Sequence, residues 1–200
     1  MLSKFARHFV IISFIFVIFN LQGIETNTFH RRCQRKEFYK SQLRENHQIP
    51  KKHSNRSWES FTFSYNEETF RITFPKHPSI ELHPNYTEIY AFDSLGPFYM
   101  VEIDYFDDNP LEKKDLIFEC YKRMYAKEDF QYRCEEGEYM GYPCLDLHFG
   151  AYDEYFDEED HDKVKVIITE RNVYELETFY TLGEEEKHEA FIHSFHLINP

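Results

Sequence analysis

From Ser60 onward, apolar and polar side chains alternate with a period of two. In Phe61-Thr62-Phe63-Ser64-Tyr65 the odd positions are aromatic and the even ones hydroxylic, which predicts a half-buried strand. Asn66-Glu67-Glu68 supplies a turn, and Phe70-Arg71-Ile72-Thr73-Phe74 alternates again. Pro75 and Pro78 end that run, because proline cannot donate to a sheet ladder. Ile80 and Leu82 make a short edge piece before Pro84. Residues 87–92 and 98–106 read as a further hairpin across Ser94-Leu95-Gly96-Pro97. In its second arm Tyr99, Val101, Ile103 and Tyr105 face one way, and Glu102 and Asp104 the other.

The period then becomes helical. Asn109 is a good N-cap, Pro110 suits the first helical position, and Glu112 stands where a capping box needs it. Leu111, Ile117, Phe118, Tyr121, Met124 and Tyr125 form an apolar stripe that reads as sheet-facing core. Four more strands follow at 130–135, 143–152, 163–170 and 173–180, the last two bracketing a tight turn at Arg171-Asn172. A second helix is expected from about Gly183, where Thr181 precedes Glu184 by three and successive glutamates favour the positive helix end. Ala190, Phe191, Ser194, Phe195 and Ile198 are expected to pack on the sheet. Hairpin-joined strands with two helices define an α+β class: an antiparallel β-sheet flanked by helices, as an α/β/α sandwich.

Several local phrases resemble the PsbP-like superfamily. They are Phe70–Pro75 followed by an amphipathic helix, Gly141-Tyr142-Pro143 opening a strand, Val173-Tyr174-Glu175-Leu176 as the penultimate strand, and the closing AFIHSFHL from Ala190 to Leu197. The likeness covers about residues 59–198. It implies an antiparallel sheet flanked by helices, used for binding and scaffolding without catalysis. Its motifs are aromatic core positions and turns, so no functional residue is carried over.

Charge changes the picture. The net charge of −13 is the sum of two unlike parts. Residues 1–57 hold 11 Lys/Arg against 3 Glu, a net of +8; residues 58–200 hold 12 against 33 acids, a net of −21. The chain thus divides into 1–23, a signal peptide or signal anchor; 24–57, a basic arm; and 58–200, an acidic domain. Lys4 and Arg7 precede the apolar run 9–19, whose length fits the roughly 7–15 residues of a signal-peptide core and falls short of a membrane span. The arm's Lys and Arg residues favour staying cytoplasmic, so a membrane anchor with a cytosol-facing domain is the alternative to export. Nucleic acid is not expected as a partner of so acidic a domain. The 18% aromatic content excludes a disordered chain.

Candidate chemistry is sparse. His188, His193 and His196 form the best histidine cluster, and His188-Glu189 begins like a zincin motif. The next histidine comes five residues on, which places the two side chains roughly 140° apart on a helix. The three are therefore weak metal candidates, read first as solvated or helix-flank histidines. The run 153–162 holds seven acids and is expected to be a mobile loop, without the glycine and ligand spacing of an EF-hand. Four cysteines allow three full pairings. Cys134 and Cys144 are the nearest pair, but strand alternation sets them on opposite faces unless Pro143 marks a bulge. Cys120 lies beside the helical stripe, and Cys33 lies in the arm. The sequons at Asn55 and Asn85 matter only in a eukaryotic secretory route.

No cysteine–histidine pair, Ser–His–Asp set or glycine-rich phosphate loop is present, so no catalytic residue and no cofactor is assigned. The reading is a non-catalytic exported or membrane-associated binding or accessory module. Its expected partner is another protein, with the basic arm near an anionic membrane surface. The alternatives are a hydrolase-like enzyme built around Asp146 and His148, and a membrane-tethered adaptor facing the cytosol.

Overall fold

The computed structural model describes residues 58–199, apart from 94–96, 107, 127–130, 154–157 and 182–184. The apolar N-terminal run and the basic arm, with Cys33 and Asn55, lie outside the described residues. The described elements are β1 (Glu59–Tyr65), β2 (Glu68–Phe74), β3 (Ser79–Leu82), β4 (Tyr86–Phe92) and β5 (Phe98–Tyr105). A 3-10 turn (Pro110–Lys113) leads into α1 (Lys114–Ala126). Then come β6 (Gln131–Tyr139), β7 (Tyr142–Asp153), β8 (Glu158–Ile168), β9 (Asn172–Thr181), α2 (Glu185–Ser194) and β10 (His196–Asn199).

The strands form two antiparallel sheets. The large sheet runs β3-β4-β5-β9-β8-β7-β6, and the small one β1-β2-β10. The class is α+β, as expected, but one of the flanking layers is not purely helical. Phe70, Ile72 and Phe74 of β2, with Leu197 of β10, Phe191 and Ile192 of α2, and Phe195 just beyond the helix, pack on Tyr99, Val101, Ile103, Tyr174 and Leu176 of the large sheet. The opposite face carries α1, whose Ile117, Phe118, Tyr121 and Met124 meet Leu145, Leu147, Phe149, Val164, Val166 and Ile168. Two faces of one sheet are therefore both covered, and alternation separates one core from the other.

Several sequence expectations are corrected. The helix predicted from Asn109 starts with a 3-10 turn, although Asn109 does cap it, accepting from the Leu111 N–H at 3.0 Å. Tyr125 lies in α1, its side chain outside what is described. The acidic run 153–162 is not all loop: β7 reaches Asp153 and β8 begins at Glu158, pairing with each other and, from Asp160, with β9. Residues 154–157 lie outside the described residues. α2 buries His188, Phe191 and Ile192, whereas Ala190 faces solvent and Ile198 is 46% exposed. The helix ends at Ser194, so Ile198 belongs to an extended strand with a different phase.

Two hairpins turn on residues in the left-handed region. Asn66 and Glu67 (φ 44° and 67°) join β1 to β2, and Met140 and Gly141 (φ 55° and 85°) join β6 to β7. Two central residues of positive φ match the right-handed strand twist. β6 extends to Tyr139, past the predicted end at 135, because its pairing with β7 continues to the turn, with Tyr139 opposite Tyr142.

Candidate functional site

Strand register assembles the site. On the face covered by α2, Thr178, Lys163, His148 and Arg133 stand opposite one another on β9, β8, β7 and β6. The next row is Leu176, Lys165, Asp146 and Glu135. The alternation in Lys163-Val164-Lys165-Val166 puts both lysines on this face and both valines in the α1 core. α2 lies beside these rows and leaves a cleft of about 380 Å³ bounded by Arg133, Tyr139, His148, His188, Glu189 and His193.

The end of α2 is fixed by tyrosine. The Tyr139 hydroxyl donates to the carbonyls of Ile192 and Phe195, at 3.0 and 3.2 Å, which satisfies acceptors at the helix end. Ser194 bridges outward, its Oγ donating to Phe191 and accepting from the Thr73 N–H at 2.9 Å.

Within the cleft both lysines are already paired. Lys165 donates to Asp146 at 2.8 Å, and Lys163 lies 3.2 Å from Glu189. Lys165 also sits over the Tyr139 ring and Lys163 over Tyr180. The rings of His148, His161, Tyr180 and His188 follow one another at centroid spacings of 5.5, 5.4 and 5.7 Å. His148 Nε2 is 3.3 Å from His161 Nδ1.

Burial, then the positive charge of Lys163, holds the His188 imidazole down to about 3. Burial, followed by Lys163, also pushes His148 below the ordinary histidine value. Both rings are neutral at physiological pH. His188 Nδ1 is hydrogen-bonded to the Thr178 hydroxyl, and Glu189 lies 4.0 Å from Nε2. That order imitates a nucleophile, base and acid, but Thr178 is fully buried and a base with so low an affinity for protons would take one poorly. No Ser, Thr or Cys lines the cleft among the described residues. The arrangement can recognise a charged or hydrogen-bonding group.

Of the predicted histidine cluster, His188 and His193 border the cleft and His196 does not. His188 is buried against Thr178, and His193, 71% exposed, reaches Glu189 at 3.6 Å. His196 lies beyond the helix on β10, bonded to the Phe195 carbonyl. Asp146 and His148 do share one face, two residues apart on β7, and both line the cleft. Cys134 stands opposite Leu147 and Cys144 opposite Gly137, so the two thiols face opposite sides of the sheet. Cys134 and Cys144 are free thiols. His161, Lys163, Lys165 and Thr178 were not singled out by sequence. Their signal was the strand alternation itself, with nothing local to show that a distant helix covers that face.

No family model matches the chain, and no curated protein is similar to it. Among solved structures it is similar to a protein from Bacteroides thetaiotaomicron VPI-5482, with 10% identity, a TM-score of 0.47, and coverage of 70% of this chain and 48% of that one. It is also similar to LpqN, involved in cell envelope biogenesis of Mycobacterium tuberculosis, with 11% identity, a TM-score of 0.43, and coverage of 70% and 91%. The chain spans about half the length of the Bacteroides protein. Likeness at this level assigns neither ligand nor role.

Proposed function

We propose that the chain is a non-catalytic binding or accessory module of PsbP-like fold, exported or membrane-associated, that receives a protein partner in the cleft beside α2. The observation that carries this reading is the state of the cleft's polar groups. Its lysines are paired with carboxylates, its buried imidazoles are neutral, and its one histidine-bonded hydroxyl is inaccessible. Such a surface is organised before a ligand arrives, which favours recognition by cutting the cost of ordering side chains. Exposed Arg133, Glu135 and His193 at the rim offer both signs of charge to a partner segment. In this reading the basic arm 24–57 lies against an anionic membrane surface.

Crosslinking and pull-down from native membranes, with the wild-type chain and a rim variant carrying Arg133→Glu and His193→Glu, tests it. One partner captured by the wild type and lost by the variant is the expected result. Equal capture by both overturns the assignment of the cleft.

A further inference from the structure

We propose that Glu81, His83 and Glu88, at the turn between β3 and β4, form a site for one divalent transition-metal ion of the zinc class. Register places Glu81 directly opposite Glu88. The chain then turns at Pro84-Asn85, closed by the His83 N–H donating to the Tyr86 carbonyl at 2.9 Å, which returns His83 to the same face. One nitrogen and two carboxylate oxygens converge, all within 4.8 Å of one another.

The distances suit an ion better than direct bonds. His83 Nε2 is 3.8 Å from Glu81 Oε2 and 3.7 Å from Glu88 Oε2, both beyond hydrogen-bond range. Nε2 is itself buried and has no hydrogen-bond partner. Tetrahedral zinc with bonds near 2.0–2.2 Å holds neighbouring ligand atoms about 3.4 Å apart. The two His83–carboxylate distances need to contract by only a few tenths of an ångström to seat the ion, with the two carboxylate oxygens within 4.8 Å of each other.

The surrounding groups orient the ligands. The Tyr90 hydroxyl donates to Glu81 Oε1 at 2.6 Å and leaves Oε2 for the metal. The His83 ring stacks on Tyr86 at 4.1 Å, nearly parallel, which fixes its direction. Glu88 is buried, whereas Glu81 is exposed, so the site opens to solvent on one side. Three protein ligands leave a fourth position for water or for a side chain of a bound partner. The imidazole argues against calcium and magnesium, which take oxygen ligands.

Glu81, Glu88, Glu102 and Glu175 stand in one row across four adjacent strands. The proposed ligands Glu81 and Glu88 form the end of that row at the sheet edge, where Glu81 is exposed.

Calorimetric titration of the full chain with Zn²⁺ alone tests the site. The wild type is expected to bind one equivalent at this site, with affinity reduced roughly tenfold or more in both Glu81→Gln and His83→Phe. Phenylalanine keeps the stack on Tyr86, and Glu81 is exposed, so both variants are expected to fold; circular dichroism checks this. Tyr90→Phe should weaken binding about tenfold without removing a ligand. A His193→Gln, His196→Gln variant should bind as the wild type does. Absence of zinc binding, or binding unchanged in folded Glu81→Gln and His83→Phe, overturns the proposal. So does loss of the binding only in the His193/His196 variant.

Discussion

Tyr174 donates its hydroxyl hydrogen to the carboxylate of Glu68 at 2.7 Å, across the seam between the two sheets. The same oxygen accepts from Asn172 Nδ2 at 2.8 Å and from the Thr169 hydroxyl at 3.0 Å. Glu68, Thr169, Asn172 and Tyr174 are all buried, so one carboxylate oxygen ties the small sheet to the turn between β8 and β9. Removing it leaves buried donors without their acceptor, which costs more than the bonds themselves contribute. Glu68→Ala is expected to lower stability by about 3 kcal/mol or more, and Glu68→Gln by roughly half as much. Urea unfolding midpoints of the two variants check the order; equal midpoints for Glu68→Ala and wild type would remove the seam argument.

Backbone strain at the hairpins makes a separate expectation. Glu67 and Met140 hold left-handed conformations that L-residues adopt at a cost. Glu67→Gly should raise stability by about 0.5–1 kcal/mol, less a few tenths for the exposed ion pair to Arg171. Gly141→Ala should lower it by about 1 kcal/mol, although a methyl there meets nothing within 4 Å. Thermal melts of both variants read the two opposite signs.

The acid limb of stability carries the His188 signature. Its folded-state affinity for protons lies below that of an unfolded histidine, so the unfolded chain binds the extra proton between about pH 6.5 and 3. Above that window His188 adds no pH dependence. As pH falls through it, stability is lost at up to about 1.4 kcal/mol per pH unit, and the loss stops once the native ring also protonates. His188→Asn retains an acceptor for Thr178 and should show a shallower decline from pH 6.5 downward. Parallel slopes of unfolding free energy against pH for the two proteins would contradict this.

Thiol accessibility should separate the three described cysteines. Burial pushes the Cys144 thiol above its ordinary value and shields it, whereas Cys120 and Cys134 are half-buried. Alkylation of the native chain, followed by peptide mass analysis, is expected to mark Cys120 and Cys134 and to spare Cys144 until urea is added. A Cys134–Cys144 disulfide would instead protect both until reduction.

Export has its own test. A reporter active only outside the cytoplasm, fused after Pro200, should be active, and a cytoplasmic reporter at the same place silent. The reverse pattern would assign the acidic domain to the cytosol.

Much of the sheet was legible in the chain, because a two-residue period survives wherever one strand face meets a core. Phe61 to Tyr65 and Phe70 to Phe74 are such runs, and β4 and β5 pair as their alternation predicts. What alternation does not carry is the identity of the covering layer. Glu102 lies on the opposite face from Tyr99, as its alternation predicts, yet that face too is covered and both Glu102 and Glu175 are buried. His188 stood among residues that looked like a helix flank, but its position faces Thr178 and Tyr180 from the far side of the chain's own fold. The cleft depends on the same long-range packing, so Asp146, His148, His188 and His193 were visible singly and the cleft that gathers them was not. The turn at His83 was hidden for a related reason: its carboxylates converge by cross-strand register, not by a sequence motif.

The small sheet is completed by β10, whose Leu197 pairs with Phe70 of β2. More than half of the chain separates these partners, so their contact order is high and loop closure precedes any gain from the pairing. A ribosome or a translocation channel releasing this chain from its N-terminal end would therefore hold β1 and β2 without their third strand until β10 emerges. During that interval the β2 edge could pair with another chain, and a chaperone that shields exposed strand edges would act on this intermediate rather than on the finished domain.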